Sequence, residues 1–236
     1  MTDENLFLRQ LSAADRQVLE PRLSKAPLRA NELIAEEGGQ VRAAYLPASC
    51  ILSVITVMRD GREVESRTIG RESGFGLLHA LGSSYSYERV EVQIGGESWS
   101  LPLESLSDLA RTSASGLRTI VRFAQATIVQ SSTALACNSL HTVEQRLARW
   151  LLLTQDRLAS EVLPLTQEHL AIMLAVQRTT VTAAAAKLQD AGLISYSRGK
   201  IQVLDRPGLL KASCECYEQI EDGVSRLIGD EATARA

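Results

Sequence analysis

Residues 165–204 read LTQEHLAIMLAVQRTTVTAAAAKLQDAGLISYSRGKIQVL, and the rest of the chain takes its meaning from this stretch. Thr166 precedes "QEHL" as a helix cap, since its side-chain oxygen can accept from a free N–H of the first turn. Ala171 is small where two helices have to cross closely, and Ala175 stands at the start of a turn. Val181 and Ala184 face back to the first helix, and Leu170, Leu174 and Leu188 complete an apolar core. This is the spacing of a helix-turn-helix, whose second helix lies in the DNA major groove. The alanines at 183–186 hold that helix with little bulk, keeping it near its neighbours. "GLISYSRGKIQVL" then reads as two strands around a tight "SRGK" turn, a wing beside the helices.

The polar residues of this unit are the candidate contacts to double-stranded DNA. Gln177, Arg178, Thr179, Thr180 and Thr182 occupy the first turns of the second helix. Arg178 suits a bidentate bond to guanine, Gln177 adenine or a phosphate, and the threonines a base edge or a thymine methyl. Thr166 and Gln167 open the other helix, where free N–H groups suit a phosphate. The wing places Arg198 and Lys200 beside the DNA backbone. A net charge of −3 looks wrong for such a partner until it is divided along the chain. Residues 1–137 carry 14 basic and 16 acidic residues, 138–211 carry 9 and 6, and 212–236 carry 2 and 6. The positive segment is the one holding the quoted stretch.

Working outward, Ser12 caps a short N-terminal helix within residues 11–25. From Asn31 to about Leu103 come short β-prone runs broken by Gly, Pro and Asp-Gly, the pattern of an antiparallel sandwich or barrel. "RDGR" (59–62) reads as a type I′ hairpin turn, and 74–88 as a short helix and loop. Residues 108–136 turn helical, with Leu117, Val121, Ala124, Ile128, Ser131 and Leu135 at alternating steps of four and three. That is a coiled-coil seam. Such a helix either lies on its own β domain or pairs with a second copy; the narrow seam between two domains favours a homodimer. Residues 142–158 form a further amphipathic helix. The expected division is a sensor unit over 1–107, a dimerisation helix over 108–137 and a winged helix-turn-helix over 138–236, in an α+β fold.

Composition removes other classes. With 45% hydrophobic and 22% charged residues over 236 positions, the chain is ordinary globular protein with room for two modest domains. No apolar run of membrane-spanning length occurs, and "MTDENLFLRQL" puts acids where a signal peptide has positive charge, so a cytoplasmic protein without membrane partners is expected. Cys50, Cys137, Cys214 and Cys216 are too few and scattered for a disulfide framework, and "CEC" lacks the two-residue spacer usual in zinc and redox sites. The sequence reading therefore assigns no metal and no cofactor. With three histidines and no nucleophile–base set, paired carboxylates or phosphate-binding loop, it assigns no catalytic residues either.

The run from Leu165 to Tyr217 resembles the C-terminal winged helix of the Crp/Fnr family of bacterial transcription regulators, and the rest of the chain follows the family more loosely. The resemblance implies a cyclic-nucleotide-binding-like β-roll, a long dimerisation helix and a homodimer on a two-fold symmetric operator that contacts RNA polymerase. Arg178 matches the family's guanine-reading arginine. Thr179 stands where many members carry glutamate and Ala183 where some carry a second arginine, which implies a different target sequence from that of the cyclic AMP receptor protein. Ala175 replaces the turn glycine. The nucleotide cassette is degenerate: Leu77 follows Gly76 where the ribose-binding glutamate belongs, and Arg89 is displaced behind Glu88. Gly76, Leu77, Tyr87 and Arg89 mark the candidate effector pocket, but cyclic AMP is not the expected ligand. The alternative is a switch gated by a cyclic nucleotide or another small effector. No cysteine precedes Cys50, which excludes the iron–sulfur sensing of the fumarate–nitrate regulators, and His79 is the one sensor histidine a haem would need.

Overall fold

A computed structural model describes residues 4–229; the extreme ends of the expected first and last domains lie outside the described residues. The chain opens with α1 (Leu6–Gln10) and α2 (Ala13–Leu19), the latter capped by the Ser12 side chain accepting from the Asp15 N–H. Seven strands follow: β1 (Ser24–Lys25), β2 (Leu33–Ala35), β3 (Ala43–Pro47), β4 (Ile51–Val57), β5 (Glu63–Ile69), β6 (Arg89–Ile94) and β7 (Ser98–Pro102). They form two antiparallel sheets, ordered β1-β7-β3 and β2-β6-β4-β5, which enclose the first core.

The β4–β5 connection differs from the expected type I′ turn. Gly61 has a φ of +81°, but Asp60 does not take a positive φ, and the Gly61 N–H donates to the Met58 carbonyl. With Met58 and Arg62 paired across it, the loop is three residues long: a tight turn at Arg59–Asp60 followed by a left-handed glycine. Asp60 instead binds the Arg62 N–H and guanidinium, which favours its α-side geometry over a left-handed one.

The helical stretch is divided at Ser113, which leaves helical geometry at φ −120° and ψ 116°. It separates α3 (Leu103–Thr112) from the 27-residue α4 (Ala114–Leu140) and caps the latter by accepting from the Gly116 N–H. The long helix therefore runs three residues past the expected end at 137. A Thr142/Gln145 capping box then starts α5 (Val143–Leu158).

The second core is built by α5, β8 (Val162–Leu163), α6 (Gln167–Leu174), α7 (Arg178–Asp190), β9 (Ile194–Ser197), β10 (Lys200–Val203) and α8 (Arg206–Ala212). Leu170, Leu174, Val181, Ala184 and Leu188 are all buried in it, as their spacing requires. The final helix, α9 (Cys216–Ile228), turns back along α4, and its Ile228 joins the first core. Arg122 on α4 secures it by donating to the Leu227 and Gly229 carbonyls.

The two cores meet across β4, whose run ILSVITV is buried on both faces over its first five residues. Leu52 and Val54 point into the first core while Ile51, with Ile94 of β6, packs on the second. Glu65 on β5 is buried at this junction, where it accepts from Ser53 Oγ (2.6 Å), Gln93 Nε2 (3.0 Å) and Trp150 Nε1 of α5 (3.0 Å). Burial outweighs these donors and pushes its pKa up to about 7. Arg157 of α5 adds an ion pair to Glu72 at 3.0 Å.

Candidate DNA-binding site

The site is built from two helix starts and a hairpin. Thr166 accepts from the His169 N–H and fixes the first turn of α6. That helix stops at Ala175, which adopts the left-handed conformation at φ 52° and ψ 45°. The C-terminal N–H groups of this turn, from Ala175 and Val176, reach back to the Ala171 and Ile172 carbonyls. Gln177 starts α7 without using its side chain as a cap. Arg178, Thr179, Thr180 and Thr182 follow on the exposed face of α7, while Val181 and Ala184 face inward. The Thr182 hydroxyl donates to the Arg178 carbonyl at 2.9 Å, which leaves its oxygen as an acceptor.

The hairpin from β9 to β10 turns on Arg198 and Gly199, with φ of 51° and 74°, the signature of a two-residue type I′ loop. β8 adds a third strand on the far side of β10. The turn brings the wing beside the helix starts: Thr166, Gln167, Arg178, Tyr196, Ser197, Arg198 and Gly199 line one concave surface. Two arginines and the α6 N-terminus thus line one groove, an arrangement that attracts an anionic backbone. Lys200 is exposed at the start of β10, opposite Ser197. Gln177 instead lines a neighbouring depression with Met58, Glu63 and Val64, toward the β-roll.

Tyr196 and Ser197 were not among the residues singled out from sequence. Strand alternation around the turn was the available signal, but which wing face meets the groove depends on how the hairpin docks. The Tyr196 N–H donates to the Gln189 side chain at 2.8 Å, which fixes the wing against α7. Burial raises the Tyr196 pKa, opposed by the charge of Arg178.

The seam of α4 has two characters. Ile128 and Leu135 are 62% and 71% exposed, and Leu117 and Val121 are exposed as well. Ser131 is half-buried and Ala124 is buried within the chain.

The four residues of the candidate effector pocket do not come together. Leu77 belongs to the first core, as its side chain dictates, and Gly76 (φ +95°) lies against Ala44, where a Cβ would meet its Cα at 2.8 Å. Arg89 is held by Glu63 through two hydrogen bonds of 2.7 and 2.6 Å. Tyr87 alone lines the hollow between the β-roll and α4, with Arg67, Leu78, His79, Glu88, Ile128 and Ser131. There Arg67 grips Glu88 bidentately, at 2.7 and 2.9 Å. Burial lowers the pKa of His79.

The described residues thus combine a helix-turn-helix and a three-stranded wing, packed under a β-roll and joined to it by a long helix. Residues 145–212 match the Crp-like helix-turn-helix domain. No curated protein matches the chain by sequence. Among solved structures, the chain is similar to a transcriptional regulator of the Crp/Fnr family from Eubacterium rectale, with a TM-score of 0.68 and 19% identity over 89% of this chain and 98% of that one. FixK2 from Bradyrhizobium japonicum gives a TM-score of 0.70 at 18% identity, covering 81% and 98%. A CRP-family regulator from Thermus thermophilus gives 0.66 at 20%, covering 80% and 96%. The winged helix is therefore a Crp-like helix-turn-helix domain, and the chain as a whole has the fold of Crp/Fnr-type transcription regulators.

Proposed function

We propose that the protein is a sequence-specific regulator that binds a palindromic operator as a homodimer. The observation that carries this reading is the convergence of Arg178, Arg198 and the capped start of α6 on one exposed groove. Arg178, Thr179, Thr180 and Thr182 read base edges, with Gln177 at the start of their helix; Thr166, Gln167, Arg198 and Lys200 hold phosphates. The apolar residues of α4 support the dimer, because Leu117, Val121, Ile128 and Leu135 form a stripe that the described residues leave exposed. Residues 1–107 serve as sensor, 108–137 as dimerisation helix and 138–236 as DNA-binding unit. The bound dimer acts by contacting RNA polymerase in the cytoplasm, where its DNA is, and has no catalytic activity. No helix among the described residues is long and apolar enough to cross a membrane.

The sensor does not bind cyclic AMP on this reading. Arg67 faces the hollow where an anion would be held, and Glu88 already occupies its guanidinium. A cyclic phosphate would have to displace that carboxylate or sit beside it. A second reading, a gated switch, is favoured by one observation: the hollow includes Ile128 and Ser131 of the seam, so a ligand there would touch the dimer helix. Selection from randomised duplex DNA by the ligand-free protein separates the two. Enrichment of a two-fold symmetric motif supports the ungated dimer, whereas enrichment that requires an added effector supports the switch. Retention that depends on salt alone, with no motif under either condition, would overturn sequence-specific binding.

A further inference from the structure

The chain crosses between its two cores at two places, from α4 into α5 and from α8 into α9. Both crossings carry cysteines. Cys137 lies in the last turn of α4 and His141 is its C-cap residue; Cys214 and Cys216 flank the start of α9. The three sulfurs and the His141 ring nitrogen all lie within 4.8 Å of one another, in the one such group among the described residues that includes cysteine. We propose that Cys137, His141, Cys214 and Cys216 form a mononuclear, zinc-type metal site that pins the two crossings together.

The geometry fits one tetrahedral ion. With Zn–S of about 2.3 Å and Zn–N of about 2.0–2.1 Å, tetrahedral ligands stand about 3.8 Å apart between sulfurs and about 3.6 Å between sulfur and nitrogen. The Cys137 and Cys214 sulfurs are 3.5 Å apart, and Cys216 Sγ is 3.5 Å from His141 Nδ1. An iron–sulfur cluster divides its four ligands among several irons, which sets some of them farther apart than the 4.8 Å that bounds all four here.

The second ring nitrogen supports the same reading. His141 Nε2 lies 3.2 Å from a Glu215 carboxylate oxygen. That leaves Nδ1 as the ligand and Nε2–H as donor to a carboxylate, the usual outer partner of a metal-bound histidine. Charge agrees too. Three thiolates around a divalent cation leave one negative charge, and the buried Arg149 acts on both Cys137 and Cys216 while its Nε has no hydrogen-bond partner.

All three cysteines are buried and His141 is half-buried, so the site is closed: four protein ligands and no open position for substrate. Its role is structural. The ion ties the end of the long helix, on the sensor side, to the segment where the winged helix hands over to α9.

The test uses the full chain, purified under reducing conditions. Elemental analysis is expected to find one zinc per chain. Replacement by cobalt(II) is expected to give the thiolate charge-transfer absorption and intense visible bands of a tetrahedral site. Cys216→Ser should lose the ion, and Glu215→Gln, which touches only the outer nitrogen, should weaken it about 10-fold or more. Should the cysteine variant not fold, stripping the parent protein with a chelator and restoring zinc gives the same readout by recovery of its thermal midpoint. A folded, reduced parent that takes up neither zinc nor cobalt would overturn the site, as would equal metal content in parent and Cys216→Ser. None of these readouts depends on DNA binding.

Discussion

Arg178 is exposed, begins α7 and faces the groove shared with the wing, so one substitution tests its role. Arg178→Ala is expected to cost about 1–3 kcal/mol on the selected operator and to relax preference at one base pair; unchanged affinity in a titration would remove it from the readout. Ala175 shows that a residue's chemistry and its backbone can disagree. Alanine is a good helix former, yet here it ends a helix in the left-handed region at φ 52°. That conformation costs an L-residue about 1–2 kcal/mol, part of which glycine's greater unfolded-state freedom would offset. Ala175→Gly is therefore expected to raise stability by about 0.5–1 kcal/mol in denaturant unfolding, with DNA contacts untouched. A loss of stability would show that the alanine methyl makes a packing contact worth more than the strain.

At the scale of elements, the long helix is the part whose burial inside the chain and exposure outside it point different ways. Its seam was legible as steps of four and three, but Ala124 in that seam is buried within the chain while Ile128 and Leu135 are not. A charge at Ala124 would therefore damage the monomer as well as any partner contact. Ile128→Glu is the cleaner probe, because the side chain is already in water. Two copies would place like charges across the two-fold axis, and light scattering is expected to report a monomer with an unchanged circular dichroism spectrum. A persisting dimer would place the interface off this helix. The β4–β5 loop makes the opposite point about legibility. Asp-Gly announced a tight hairpin, but the aspartate's bonds to Arg62 decided which tight turn formed.

Across the whole molecule, the junction between the two cores rests on a buried carboxyl. Glu65 bridges Ser53 and Gln93 of the β-roll to Trp150 of α5, and burial raises its pKa from 4.5 to about 7. Because the folded value is the higher one, the unfolded chain releases the proton first. The stability present below about pH 4.5 is lost as pH rises through about 7, by up to roughly 3 kcal/mol from this group. Unfolding midpoints measured from about pH 5 to about pH 8 are expected to fall, and Glu65→Gln to flatten that slope. A variant with the parent's slope would assign the dependence to another group.

What the sequence determined by itself was local. Caps at Ser12 and Thr166, the apolar spacing of the helix-turn-helix, and the Arg198–Gly199 turn depend on residues within a few positions of one another. Near-neighbour chemistry specifies them without reference to distant contacts. The exposure of the candidate contacts Arg178, Thr179, Thr182, Arg198 and Lys200 was legible for the same reason, since a helix start and a hairpin turn expose their side chains by geometry alone. Only the tertiary structure decided what depends on contacts between distant segments. Leu77 entered the core and Arg89 was claimed by Glu63, so two marks of an effector pocket were spent on packing and pairing. Cys137 and Cys214, 77 positions apart in the chain, were brought to 3.5 Å because α9 folds back along α4. Spacing in sequence carries no record of that approach; the burial of α9 against the first core creates it.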